Sequence, residues 1–345
     1  MASANPGISS TNLFRRLAWQ SSIPLEIRLA EGEPGAGSDY DRYYMHAPRH
    51  TYLPLLIPEI RENFVGIVLN DQEIIDTDER NWWFEEEADP EPGSFISQGA
   101  CRWHWPLDLI ELHSVLSRPD SSSSSASSSL PRARSLRLLL HLSSPPTDKL
   151  MMSNSVEACK TQFINQVKEA DFVRWRSTSK VTGLRRADLE AGWDGIIQDD
   201  YDLFMRMASK VLPSPPFIAS PAISSTSAVP TNPPNTDPGG SAVKPESSYS
   251  VRAVPVKLYL PDGAPVLQDI ISPHSADGKP LTVLGMLRRH LPLLFPPTST
   301  ETYPIAFPIA SGIDLPPHAE VAWLAACICG ADGWLRIGVR LRGQS

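Results

Sequence analysis

The sequence predicts an α+β protein in which two segments mixing strands with helices flank an all-helical one. Three observations predict it. Apolar residues alternate at period two in Ile23, Leu25, Ile27 and Leu29, and again in Val254, Val256, Leu258 and Leu260. Between these regions, from Asn154 to Leu212, apolar residues recur at helical spacing. Proline is in excess, 34 of 345 residues, and clusters in discrete stretches, as expected of compact units joined by irregular connections.

Composition narrows the function classes. Hydrophobic residues make up 41% and charged residues 20%, an ordinary globular balance. The formal net charge of −8 argues against a nucleic-acid partner, which would need a dominant basic footprint. The four cysteines are Cys101, Cys159, Cys327 and Cys329; only the last two are close, and that spacing holds no zinc. Reduced, buried thiols in a cytosolic protein are expected, with no metal and no cofactor. The first residues, Met1 to Pro6, lack the pattern of a secretory signal. The densest apolar runs, Leu136–Leu142 and Val321–Cys329, fall short of the ~20 residues a membrane span needs, so any membrane role is peripheral.

Residues 1–20 read as a tail and a short helix, with Leu13, Phe14, Leu17 and Ala18 on one stripe. Residues 21–145 form the first mixed unit. Its first strand holds Ile23 to Leu29, and a second is required near Tyr43–Tyr52. Pro54–Phe64 reads as a helix whose start Pro54 and Pro58 disturb. Asn81–Glu86 and Cys101–Trp105 read as tryptophan-rich strands. Pro106 opens a helix through Leu116. A serine-rich insertion at 118–131 cannot bury enough surface to fold, and Arg134–Leu142 is the closing strand.

Residues 153–212 form the helical unit. Asn154 and Glu157 resemble a capping box ahead of Val156, Cys159, Phe163, Val167 and Ala170. Gly183 breaks the pattern, and one further helix runs from Trp193 to Val211. Residues 213–250 read as a disordered Pro/Ser-rich linker. Residues 251–343 repeat the first order: a strand at Val254–Leu260, a partner strand with Val266, Gln268 and Ile270, a helix at Leu281–Leu291, a strand at Tyr303–Pro308, a short helix at Ala319–Cys327 and a last strand at Trp334–Leu341. Strand, strand, helix, strand, helix, strand is the β-grasp order. The expected fold class is therefore α+β, two ubiquitin-like β-grasp domains flanking a small helical domain, with an N-terminal helix.

No nucleophile elbow, Walker loop, HExxH or paired CxxC occurs. Gly35 and Gly37 sit in a polar loop and read as turn glycines. The acidic stretch Asp76, Asp78, Glu79 and Glu85 to Glu87 reads as solvated surface rather than a glycosidase pair. Cys101 and His104, three apart in a strand, would lie on opposite faces and make a poor nucleophile pair. A cysteine-dependent transferase using Cys101 or Cys159 remains a competing class, and it predicts a thiol-sensitive adduct.

Lys168 lies on the polar flank of the stripe set by Phe163, Val167 and Ala170, nearly in line with Glu157 three turns earlier. A lysine held so on a rigid helix suits an amine that attacks a thioester. Periodicity alone favours an ordinary solvated lysine. Downstream, Arg174, Arg176, Lys180, Arg185 and Arg186 form a basic cluster. It reads either as a contact for anionic lipid headgroups or as a solvated helix end and loop. On the lipid reading the chain is a non-covalent membrane-tethering adaptor.

Several blocks resemble one known family in its order. Phe163-Ile164-Asn165-Gln166-Val167-Lys168-Glu169-Ala170-Asp171 resembles the acceptor motif of the autophagy protein 5 family. Trp103-His104-Trp105-Pro106-Leu107 resembles its strand-to-helix junction, and Trp193 with Asp199-Asp200-Tyr201-Asp202-Leu203-Phe204 its helical region. Leu281 to Gly285, Val321 to Leu324 and Asp332 to Ile337 resemble its C-terminal blocks. The resemblance, to a fungal member, spans residues 11 to 342 apart from the low-complexity insertions. It implies a scaffold rather than an enzyme, with no catalytic residues of its own. It implies that Lys168 forms an isopeptide bond with the C-terminal glycine of autophagy protein 12. It implies non-covalent binding of autophagy protein 16, on this chain through Leu13, Leu17 and Trp19. The conjugate would then work with the conjugating enzyme autophagy protein 3 to promote lipidation of autophagy protein 8 with phosphatidylethanolamine. The implied location is the cytoplasm, with recruitment to the preautophagosomal structure as a peripheral membrane protein.

Overall fold

The computed structural model describes residues 10–38, 40–87, 99–117, 135–151, 154–213, 247–261, 263–297 and 301–342. The serine-rich insertion 118–131 and nearly all of the linker 213–250 lie outside the described residues.

Helix α1 (Ser10–Trp19) precedes the first sheet. Its apolar stripe points outward: Leu13, Phe14 and Leu17 are exposed, while Thr11, Arg15 and Trp19 are buried. The buried arginine explains the inversion. Arg15 Nε donates to the Ala326 carbonyl at 2.9 Å, a carbonyl in the last turn of a helix that otherwise lacks a partner.

The first sheet holds β1 (Ser22–Leu29), β2 (Arg42–Pro48), β3 (Trp83–Glu86) and β4 (Leu136–His141) in the order β2-β1-β4-β3. The central pair is parallel, with Leu25 opposite Leu136 and Ile27 opposite Leu138. Ile23, Leu25 and Ile27 are fully buried, as strict alternation over one covered face requires. Helix α2 (Leu53–Ile60) takes Pro54 in its first turn but carries Pro58 inside, and the chain widens into a π-type turn at Arg61–Val65 before α3 (Gly66–Val68). Helix α4 (Asp71–Ile75) follows, with Asn70 and Glu73 forming a capping box.

The expected strand at Cys101–Trp105 is not formed. A single bridge joins Ala100 to Glu85, and the chain then turns, with Trp105 N bonded to Arg102 O at 2.9 Å. The Trp103 indole is instead an anchor, donating to Met151 O at 2.9 Å. Helix α5 (Leu107–Ser117) starts directly after Pro106.

The helical domain contains α6 (Val156–Trp175), α7 (Ser179–Thr182), α8 (Arg186–Gln198) and α9 (Tyr201–Val211). The single helix expected over Trp193–Val211 is two. Asp199 adopts a left-handed conformation, φ 51°, and Asp200 caps α9 by accepting from Asp202 N and Leu203 N. The α8–α9 hairpin closes over Gly195, where a Cβ would lie 2.5 Å from Phe204 N. Gly195→Ala is therefore expected to destabilise the protein by about 1–3 kcal/mol through helix separation, read as a lowered urea midpoint.

The second sheet holds β5 (Val256–Tyr259), β6 (Ala306–Ala310), β7 (Ile313–Asp314) and β8 (Leu335–Leu341) in the order β5-β8-β6-β7, with β5 and β8 parallel. Helices α10 (Val283–His290) and α11 (Val321–Cys327) cover it. The expected partner strand through Val266, Gln268 and Ile270 is reduced to two bridges, Val254–Ile271 and Leu258–Leu267. Between them the Asp269 carboxylate bonds the next backbone nitrogen, Ile270 N, at 2.7 Å, diverting the chain from the ladder.

The three units pack on one another. Leu109, Leu112 and Leu116 of α5 form a seam with Tyr259 of β5. At this seam Gly338 of β8 lets α5 approach, since a Cβ there would lie 2.6 Å from Leu112 Cδ1. His113 lies in the same seam, 4.7 Å from the Trp105 ring and 5.3 Å from Tyr259. Burial, aided by the Arg102 charge, lowers its pKa to about 4. The folded state thus prefers the neutral imidazole. Its stabilising share is present above the unfolded value near 6.5 and is lost as pH falls toward 4. At pH 5 the loss is about 2 kcal/mol, and His113→Asn is expected to remove that slope from a urea-midpoint series between pH 7 and 5.

Candidate functional site

The candidate site is the outer face of α6. Ser155, not Asn154, caps the helix, accepting from Ala158 N at 3.1 Å; the Asn154 amide donates instead to Trp82 O at 2.9 Å. Arg176, left-handed at φ 57°, ends it. The inner face buries Cys159, Phe163, Val167, Ala170, Asp171 and Arg174. Phe163 and Trp193 pack with Tyr52 and Trp103 of the first domain. The outer face carries Glu157, Thr161, Asn165, Lys168 and Phe172.

Lys168 is half-buried. Four lysines lie in residues 154–213, and three are engaged. Lys160 pairs with Glu190 at 2.5 Å and Lys210 with Asp188 at 2.6 Å, while Lys180 lies 4.0 Å above the Trp175 ring. Lys168 has no ion pair or hydrogen bond with any described residue. Its two polar neighbours are held. Gln166 Oε1 accepts from Lys257 Nζ at 2.8 Å, and Gln166 Nε2 donates to Glu169 Oε2 at 3.0 Å. The Gln166 carbonyl accepts from the Trp334 indole at 3.1 Å. Such an arrangement presents a primary amine on an immobilised turn, ready for acyl transfer when deprotonated. The sequence pattern missed Gln166, Glu169, Lys257 and Trp334 as its supports. They lie up to 168 residues apart, beyond any local periodicity.

The predicted basic cluster does not form one surface. Arg174 is buried and donates to the Gly333 carbonyl, so it is not a membrane contact. Lys180 rests on Trp175; Arg185 pairs with Asp188 at 2.9 Å and Arg186 with Glu190 at 3.5 Å. Arg176, Arg185 and Arg186 remain exposed.

The predicted partner face on α1 divides likewise. Leu13 and Leu17 are exposed beside Phe14, which meets the Trp323 ring edge-on at 5.3 Å. Trp19 is not available: it is buried, stacked on His50 at 3.7 Å and on Phe204 at 4.5 Å.

The cysteines are poor nucleophiles. Burial pushes the Cys101 thiol well above its usual value and Cys159 up to about 12, so neither forms a thiolate near neutrality. Among the described residues no group of three His, Cys, Asp or Glu could hold a metal ion. No helix among them is long and apolar enough to cross a membrane.

Three family descriptions match the chain. Residues 18–125 match "Autophagy protein ATG5, UblA domain", residues 156–214 its "alpha-helical bundle region" and residues 253–339 its "UblB domain". The chain is 30% identical to Autophagy protein 5 of Aspergillus clavatus, over 97% of this chain and 99% of that one. It is 27% identical to Autophagy protein 5 of Phaeosphaeria nodorum, over 96% and 98%. The fold is similar to the crystal structure of Kluyveromyces marxianus Atg5, with a TM-score of 0.63 at 16% identity, covering 95% of this chain and 99% of that one.

Proposed function

This chain belongs to the autophagy protein 5 family and has a role in autophagy, and from that premise we propose that Lys168 is the acceptor for a ubiquitin-like modifier, autophagy protein 12. The observation that carries the reading is the contrast among the helical domain's lysines. Three are engaged, and the one with no ion pair or hydrogen bond to a described residue stands within the Gln166-Val167-Lys168-Glu169 turn that the last domain holds. The Lys168 amine attacks the thioester at the modifier's C-terminal glycine, an isopeptide C–N bond forms, and the carrier cysteine leaves as a thiol. The chemistry of activation belongs to other proteins; this chain supplies the nucleophile and the scaffold.

The conjugate binds autophagy protein 16 through the exposed stripe of α1. An apolar helix face left in solvent beside Trp323 favours a partner helix or strand that covers it. Together with autophagy protein 3, the complex promotes lipidation of autophagy protein 8 on a membrane. The protein works from the cytoplasm and reaches the preautophagosomal structure as a peripheral component. Leu17→Asp is expected to weaken autophagy protein 16 binding about a hundredfold in calorimetric titration, while thermal stability changes little because Leu17 is already half in solvent. The adaptor reading gains little from the basic cluster: Arg174 is buried, Lys180 lies on Trp175, Arg185 and Arg186 are each paired with a carboxylate, and Arg176 alone of the five is exposed with no ion pair to a described residue.

The test is a reconstituted reaction with the charged thioester. A product of summed mass that survives thiol reductant supports an isopeptide. A product that reductant releases would instead support a cysteine-linked intermediate and overturn the acceptor reading.

A further inference from the structure

We propose that Lys257, in the last domain, is a positioning residue for the acceptor step at Lys168; this rests on the reading of Lys168 as the acceptor. Lys257 sits on β5, 91 residues from Gln166 in sequence. Its side chain is 14% exposed, and its ammonium gathers three groups. It donates to Gln166 Oε1 at 2.8 Å, lies 3.8 Å from Glu169 Oε2, and stands 4.1 Å above the Trp334 ring. Trp334 then reaches back to the Gln166 carbonyl, and Gln166 to Glu169. The result is a closed set of contacts on residues 166 and 169, which bracket Lys168 on either side.

The helical domain's own core holds α6 through Phe163, Val167 and Ala170, an apolar face that resists sliding poorly in comparison with directed hydrogen bonds. Directed contacts hold α6 on either side of the acceptor turn, Lys160 to Glu190 and Arg174 to the Gly333 carbonyl; at the turn itself the Lys257 cluster supplies them, and it comes from a different domain. The rotation of α6 about its axis at the acceptor turn is therefore set by the docking of the C-terminal ubiquitin-like domain. Gln166 and Lys168 are two residues apart, about 200° around the helix, so Lys257 works from the side opposite the acceptor. It does not meet the incoming thioester. Its effect falls on the orientation of the amine, where small misplacement is costly in rate.

The covalent step is unchanged by this role. The neutral Lys168 Nζ adds to the thioester carbonyl carbon, the C–N bond forms, the C–S bond breaks, and the amine proton ends on the departing thiol. The co-reactant is the modifier carried as a thioester on its conjugating enzyme.

The experiment is single-turnover transfer to the full chain at varied concentrations of preformed thioester, with Lys257→Met, Lys257→Arg, Gln166→Leu and the Lys257→Met/Gln166→Leu double variant. Methionine keeps the stem on Trp334 and removes the ammonium. The limiting rate is expected to fall about tenfold in Lys257→Met with the half-saturating concentration unchanged. Lys257→Arg is expected to recover part of the rate. Gln166→Leu should match Lys257→Met, and the double variant should be no worse than either, because both act through one link. Gln166→Leu also serves if Lys257→Met lowers the folded fraction. A limiting rate within twofold of wild type in both single variants overturns the proposal while leaving Lys168 as acceptor, as does a change confined to half-saturation. Absence of any Lys168 product in the wild-type chain overturns the acceptor reading, and this one with it.

Discussion

Replacing Lys168 with arginine is expected to abolish the conjugated form of the protein completely. Arginine keeps the positive charge and nearly the length of the side chain. Its guanidinium stays protonated at any physiological pH, so it has no lone pair to offer a thioester. Nothing else is lost, because Lys168 has no ion pair or hydrogen bond with a described residue. The cost in stability should stay within about 0.5 kcal/mol. No neighbouring lysine is placed to substitute: Lys160 and Lys210 are paired with carboxylates and Lys180 lies on Trp175. An immunoblot of the chain from cells should therefore lose its heavier band in Lys168→Arg and keep it in Cys101→Ser and Cys159→Ser. Lipidation of autophagy protein 8 should fall with that band.

The second large effect is on assembly of the domains. Arg174→Ala is expected to cost about 3 kcal/mol and to loosen the last domain on the helical one. Arg174 is buried in α6, donates to the Gly333 carbonyl, and its own carbonyl accepts from Arg252 N at 2.9 Å. The turn at Gly333 packs tightly on it, since a Cβ on Gly333 would lie 2.8 Å from the guanidinium. Removing the side chain strands a buried carbonyl, leaves a void the size of a guanidinium and takes a cation from the vicinity of buried Asp171. Arg185→Ala and Arg186→Ala, both on exposed side chains, should shift stability by less than about 0.5 kcal/mol. Urea unfolding followed by tryptophan fluorescence separates these cases. An early transition is expected in Arg174→Ala alone, because Trp334 and Trp175 flank the seam it holds.

Much of the architecture was legible because alternation is a strong signal where one sheet face is covered. Ile23 to Leu29 and Leu335 to Leu341 pair with their sheets as their period-two patterns demand. Legibility failed where a side chain diverted the backbone or where the deciding contact was distant. Val266 to Ile270 has strand composition, yet Asp269 captures the backbone beside it. Cys101 to Trp105 has aromatic strand formers, yet Trp103 is spent on Met151 and Pro106 forces a turn into α5. The break at Asp199 could have been read, since consecutive aspartates ahead of an apolar run mark a helix start. The outward stripe of α1 could not: Leu13, Phe14 and Leu17 look like a core face until Arg15 is seen bonded to Ala326, 311 residues away.

Of the candidate site, the place of Lys168 on a helix flank was legible and its surroundings were not. The spacing of Phe163, Val167 and Ala170 placed Lys168 on the flank of a helix. Nothing local indicated that Gln166 and Glu169 are held by another domain. Arg174 shows the reverse failure. By residue type it belongs with exposed Arg176, but its place in the helical period puts it with Ala170 and Asp171 on the buried face.

The most direct measurement is tryptic mass spectrometry of the chain purified from its own cells during active autophagy. A branched peptide carrying a C-terminal glycine remnant on Lys168, and on no other lysine of the helical domain, is the predicted result. An unmodified Lys168 in such cells, with no heavier form of the protein, would contradict the assignment of Lys168 as the acceptor.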